Sequence, residues 1–379
     1  MLWGQNTYVP DDNFEQALID LGYDDTLDDF VLTENISGVT NLVVNDKEIS
    51  DMTGIEDFIA LTELTCQDNQ FTSLDLSNNT ALIALHCMNN QLTALDVTAN
   101  TALTGLYIGG GSQSQISTLD LSNNTALISL NTQDILTLTS LDVSNNTALT
   151  DLGCWNNSLA TLNVNGASSL TYLHCNNNQL TNLDVSNNTA LTSLICYSNQ
   201  LTSLDLSANT ALNTLVCHDN QLTSLDVSLN TALTQLYCDN NQLTSLDVSN
   251  NTALTELHCS GPYPELGLLT SLDVGANTAL ERLSVQHNQI QTLDVSNNTE
   301  LNQLECQINQ IQVLDLSNNT QLHQLNCVDN QISTLDLSNN LELETLGCAS
   351  NPLTELDVTM HESLKVLYSS ETQLTSLDV

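Results

Sequence analysis

One stretch constrains this chain more than any other. Residues 180 to 200 read Leu-Thr-Asn-Leu-Asp-Val-Ser-Asn-Asn-Thr-Ala-Leu-Thr-Ser-Leu-Ile-Cys-Tyr-Ser-Asn-Gln, and this 21-residue text recurs with small changes from Leu61 onward. Self-similarity at a short fixed period is the signature of a solenoid, in which each coil buries its apolar edge against its neighbours. The 379 residues therefore need not divide into two or three ordinary domains.

Each repeat has two halves. One reads Leu-Thr-x-Leu-x-Cys-x-x-Asn-Gln, the other Leu-Thr-Ser-Leu-Asp-Val-Ser-x-Asn-Thr-Ala. Leu-x-Cys and Leu-x-Val alternate apolar with polar, which is strand periodicity. Halves this short leave no room for a helix. The expectation is a mainly β solenoid of about 15 units spanning 61–379, with two short strands and two tight turns per coil. The Asn of each half, such as Asn178 and Asn188, falls where the chain must turn. Stacked there, its amide can bond carbonyls of an adjacent coil. The copies of Asn187-Asn188-Thr189 also match the N-glycosylation sequon, but the structural ladder is the favoured reading.

The 11 cysteines follow the same period, from Cys66 and Cys87 to Cys327 and Cys348. Ile108, Thr132, Val285 and Ser369 fill their slot in other coils. A position that accepts Cys, Val or Ile is an apolar core position, where free Cys acts as a small hydrophobe. Parallel in-register side chains suit a disulfide poorly. A buried column also offers no tetrahedral metal set. Buried free thiols are expected.

Residues 1–60 read as a cap over the open end of the first coil. Residues 1–6 have the look of a signal-peptide remnant behind an added start Met. Pro10-Asp11-Asp12 opens and Gly22 closes a short amphipathic helix with Phe14, Leu18 and Leu21 on one face. The run from Asp24 to Asp29, then Glu34, is acidic enough to suggest a calcium loop. It lacks the EF-hand spacing and central Gly, so a solvated turn is expected. Val39 to Val44 reads as a first irregular strand.

At this point the sequence resembles a known family. Leu170 to Leu180 fits Leu-x-x-Leu-x-Cys-x-x-Asn-x-Leu, the leucine-rich repeat consensus with Cys in one Leu slot. The nested Leu-x-x-Leu-Asp-Val-x-x-Asn is similar to the short 21-residue bacterial class. The resemblance implies a secreted or surface-attached bacterial protein that binds other macromolecules without catalysis. The chain stops in mid-unit, which on this resemblance suggests a fragment.

Charge narrows the partners. There are 45 acidic residues against three basic ones, Lys47, Arg282 and Lys365. A net charge of −42 repels nucleic acid and anionic membranes. No run is long enough to insert into a bilayer.

Alternation places Leu173 and Cys175 inward and Tyr172, His174 and Asn176 outward. Three outward positions per Cys half vary while the rest repeats. Tyr107, Trp155, Tyr172, Tyr197, Tyr237 and Tyr368 lie there, as do His86, His174, His218 and His258, and none of these lies in the Asp half. Trp155, Tyr172, His174, Tyr197, His218, Tyr237, Asp239 and His258 form a candidate ligand-binding face. A protein partner is favoured over a polysaccharide. Extra residues follow Ile108, Thr132 and Cys259, all in the turn after the Cys half. Such insertions can mark a binding edge.

A second column is acidic, running from Asp75 through Asp184, Asp205, Asp226 and Asp247 to Asp378, with Asn163 interrupting it. Neighbouring carboxylates about 5 Å apart repel by about 1 kcal/mol even in water. Donors from nearby Ser and Thr are the plain remedy. Calcium bridging Asp184, Asp205, Asp226 and Asp247 is the alternative, and no other cofactor is indicated. No nucleophile, phosphate-loop or metal-helix motif appears, so no enzyme is expected. A column of turn Thr residues, Thr80 to Thr231, leaves an ice-binding scaffold as a further alternative.

Overall fold

The computed structural model describes residues 5–111, 113–375 and 377. Residues 1–4 of the proposed signal remnant, Ser112 of the first insertion and Asp378 of the acidic column lie outside the described residues. The chain forms two compact units, Met1–Ala190 and Leu191–Val379.

The first unit begins with the cap. Strand Asn6–Tyr8 pairs antiparallel with Phe30–Leu32. Between them runs helix α1, Asp12–Asp20. Asp11 caps it, its Oδ1 accepting the N–H groups of Asn13 and Phe14 at 3.0 and 2.9 Å. The other oxygen of Asp11 accepts from Ser50 N, Ser50 Oγ and Asp51 N at 2.8, 2.7 and 3.0 Å. One carboxylate thus ties the helix to the first coil. Burial alone would raise its pKa, but these bonds from Ser50, Phe14 and Asp51 outweigh burial and hold it below its ordinary value. Phe14, Ala17 and Leu18 are buried as expected, whereas Leu21 is 45% exposed. The helix stops one residue short of Leu21, and Gly22, at φ +80°, turns the chain away.

Parallel three-residue strands then stack in register. In the first unit seven of them run from Asn41–Val43 to Tyr172–His174. In the second, nine run from Ser193–Ile195 to Val366–Tyr368. The central Leu of each strand faces its counterpart in the next, as Leu215 faces Leu236. All but the last of these leucines are buried. Flanking residues point out, which is the period-two geometry of a strand.

Two asparagine columns satisfy the turns. Asn220 donates to the carbonyls of Cys196 and Cys217, both at 3.1 Å, and accepts the Leu201 N–H at 3.0 Å. Asn230 donates to Leu206 O and Asn209 O at 3.1 and 2.8 Å. The residue before each Asn of the first column is left-handed, as at Asn177, Asp219 and Asn240 with φ near +50°. Asn and Asp tolerate that region better than other side chains. In the sequon copies the ladder uses the second Asn. Asn188 is buried while Asn187, the sequon's acceptor, is exposed.

All eleven cysteines are buried and unbridged. Burial pushes thiols such as Cys154, Cys196 and Cys306 up to about 12.

The Asp half departs from the expected second strand. Among the described residues it forms a ladder only between Ser140–Asp142 and Thr161–Asn163. Elsewhere among the described residues it is extended with no second ladder, apart from a single bridge residue at Asp357. The side chain at this position takes the N–H two residues on in paired and unpaired coils alike, as at Asp142 and Asp226, so the physical difference is the succession of like charges between neighbouring segments, which Asn163 interrupts.

Candidate ligand-binding face

The outward wall of the Cys strands is built differently in each unit. In the first, Trp155 lies across its own coil. A Cβ on Gly153 would meet the Trp155 ring at 2.5 Å, so the missing side chain is what lets the indole lie flat. Gly153 pairs in register with His174, whose ring centroid is 6.1 Å from that of Trp155. Tyr172, at the first position of the His174 strand, is 48% exposed. Burial lowers the His174 pKa, with Asp151 opposing, so the imidazole is neutral at pH 7 and can accept as well as donate. Asn176, expected to face out beside them, is buried. A further pair in this unit, His86 and Tyr107, stacks at 4.4 Å with the rings 5° from parallel.

In the second unit the wall carries stacked pairs on adjacent coils. Tyr197 and His218 lie 4.4 Å apart at 11°. Tyr237 and His258, partners in register, lie 4.5 Å apart at 25°. His218 Nδ1 is 2.5 Å from Asp219 Oδ2. The Tyr237 hydroxyl donates to the Glu256 carboxylate. Burial first, and then that bond, push Tyr237 up to about 12. Glu256 in turn meets Arg282 at 3.3 Å. Asp239 accepts the Ser260 N–H at 2.8 Å.

The structure therefore brings Trp155, Tyr172 and His174 together in one unit, and Tyr197, His218, Tyr237, Asp239 and His258 in the other. Sequence reasoning missed the face-to-face Tyr–His pairs and the roles of Asp219, Glu256 and Arg282. The signal was present, because Tyr and His share a column 21 residues apart at 197 and 218, just after the Cys slot, and another at 237 and 258, just before it. The third insertion lies in the second unit and presents Tyr263, 81% exposed, edge-on to His287 at 5.4 Å.

The acidic column is exposed at Asp184, Asp205, Asp226 and Asp247. Each Oδ1 accepts the N–H of the Ser two residues on, at 3.0, 3.0, 2.9 and 2.9 Å in that order. The Ser hydroxyl, then this N–H, hold Asp184, Asp226 and Asp247 below their ordinary pKa. Among the described residues, no three His, Cys, Asp or Glu side chains converge as a metal site.

No family model matches the chain. The functional domain of InlJ from Listeria monocytogenes, a solved structure that includes a cysteine ladder, is 38% identical over 94% of this chain and 78% of that one, with a TM-score of 0.83. The chain belongs to the internalin J family of leucine-rich repeat proteins. A curated internalin J from Listeria monocytogenes serotype 4b matches at 40% identity over 75 residues, 20% of this chain and 8% of that protein. This internalin J-type chain thus matches well under two thirds of that curated relative. A leucine-rich repeat protein of Leptospira interrogans shares the fold, at 23% identity and a TM-score of 0.75 over 90% of this chain and 93% of its own. The eleven-thiol column of this chain is the counterpart of the internalin J cysteine ladder.

Among the described residues, no helix is long and apolar enough to cross a membrane.

Proposed function

We propose that this internalin J-type chain is an extracellular, non-catalytic binding or adhesion module that takes a protein partner on the outward wall of its Cys strands. The observation that carries the reading is the segregation of side chains. Trp155, Tyr172, His174, Tyr197, His218, Tyr237 and His258 all lie on that wall, while the Asp half of the array repeats Ser, Asp and Ser. Exposed aromatic rings beside hydrogen-bonding groups are the residue types that anchor protein interfaces.

Charge says what such a partner brings. The three basic residues are each engaged by an acid, Lys47 by Asp20, Arg282 by Glu256 and Lys365 by Glu344. A surface rich in Lys and Arg complements this wall and is drawn to it at long range.

The test is capture of surface proteins by the intact chain and by the variant carrying Trp155→Ala and Tyr197→Ala. The reading requires weakened capture by the double variant at an unchanged melting temperature. Equal capture by both proteins would remove the proposed face.

A further inference from the structure

The wall of the second unit carries an aliphatic strip beside its aromatic pairs. In the column just before the Cys slot, two consecutive coils place Ile195 and Val216, and the next two place Tyr237 and His258. Ile195 pairs in register with Val216, and Val216 with Tyr237. Adjacent strands lie about 4.8 Å apart, so these three side chains make one strip roughly 10 Å long. Each follows a fully buried leucine, Leu194, Leu215 or Leu236, and therefore points outward. Ile195 and Val216 are half-buried, so the strip leaves apolar surface in contact with water.

The strip is bounded unequally. Along one side, in the column after the Cys slot, Tyr197 and His218 stack ring on ring at 4.4 Å. Tyr237 closes one end, its ring stacked on His258 and its hydroxyl held by Glu256. Along the other side lie the short side chains of Ser193 and Thr214. The result is an aliphatic floor with two aromatic rims, each fixed by a partner. Near the rims stand Asp219, which is exposed, and Asp239. The only Lys and Arg of this unit are engaged by other acids, Arg282 by Glu256 and Lys365 by Glu344.

We propose that Ile195 and Val216 are the floor of an anchor site that takes one aliphatic or aromatic side chain of a protein partner, next to a Lys or Arg that meets Asp219 or Asp239. The proposal rests on the reading of this wall as the partner-binding face, and it names what the partner presents there. A few apolar or aromatic anchors seated within a rim carry most of the energy of a typical interface, and opposite charge beside them sets the register. A sugar is a poorer occupant. The floor offers its hydroxyls no donor or acceptor, and one face of each tyrosine ring is already covered by a histidine.

The test is methyl NMR of the intact chain, with the Ile195 and Val216 methyl groups as reporters and an N-acetylated, C-amidated Gly-Lys-Phe-Lys-Gly peptide as probe. Val313, 74% exposed on the Asp half, is the internal control. The expected result is saturable, salt-sensitive movement of both reporters while Val313 stays still. Replacing the Phe of the probe by Ala, or both its Lys by Glu, should weaken binding by about tenfold or more. Val216→Ser, read at Ile195, should weaken the parent probe by about fivefold or more. The altered probes decide even where that variant fails to fold. Reporters that stay still, a Val313 that moves with them, or undiminished binding in any of these three comparisons overturns the proposal. Capture of surface proteins by the Trp155→Ala, Tyr197→Ala chain separates the two failures. Still reporters with capture lost in that variant sink the anchor site alone, whereas still reporters with capture retained sink the wall reading with it.

Discussion

Asn163 donates its side-chain amide to the Asp142 carboxylate across 3.1 Å, in a column where most coils set one carboxylate after another. At this step the Asp half pairs as a strand, Thr161–Asn163 with Ser140–Asp142. A hydrogen bond has replaced a like-charge contact, and the coils draw close enough to share backbone bonds.

Asn163→Asp should undo that pairing. The Val143 N–H, which donates to Asn163 O at 2.9 Å, should exchange faster, and stability should fall by about 1 kcal/mol or less. Burial pushes the Asp142 pKa up, but bonds from Ser144 and Asn163 outweigh it and leave the pKa below its ordinary value. A depressed folded-state pKa contributes stability above the unfolded value of 3.8, which is lost as pH falls through the folded value. The variant's loss should therefore shrink on acidification. Unchanged Val143 protection would show that charge does not govern the pairing.

Ile308 occupies the left-handed column at φ +57°, where other coils place Asp, Asn, Ser, His or Glu. A β-branched residue is strained there. Ile308→Asn should raise stability by about 1 kcal/mol, read as a higher denaturation midpoint at constant slope. A lower midpoint would mean that the packing of the isoleucine outweighs the strain.

The thiol column should be inert in the folded chain. Burial pushes Cys196 and Cys306 up to about 12 and Cys238 well above its ordinary value. A thiol reagent at neutral to mildly alkaline pH should label none of the eleven cysteines in the native protein, and all of them after unfolding. Cys306→Val should cost less than about 1.5 kcal/mol, because Val285 already fills the same slot one coil away. Rapid native labelling would mean that the column opens to solvent.

The period and alternation of the sequence made much of this legible. Leu173 and Cys175 face the core and Tyr172 faces out, because a strand has a period of two whatever its neighbours are. The second strand of the coil was over-read. Leu-Asp-Val alternates as Leu-x-Cys does, and the repulsion down the Asp column was legible, but alternation does not record that this repulsion outweighs the ladder bonds a second strand would make. Leu21 was placed on the buried helix face because spacing does not reveal where α1 ends. The burial of Glu15 and of Asp24 Oδ2 was invisible for a related reason. An acidic run reads as solvated until a helix from elsewhere in the chain is packed against it. The Tyr–His stacks needed residues compared down a column rather than along the chain.

The most direct test of the binding account is site-specific photo-crosslinking to a surface-protein partner selected with the intact chain. One photoreactive residue replaces Tyr197 on the Cys wall, and another replaces Ser203, exposed on the Asp half. The account requires partner adducts from position 197 and none from position 203. Adducts from 203 alone, or equally from both, would contradict it.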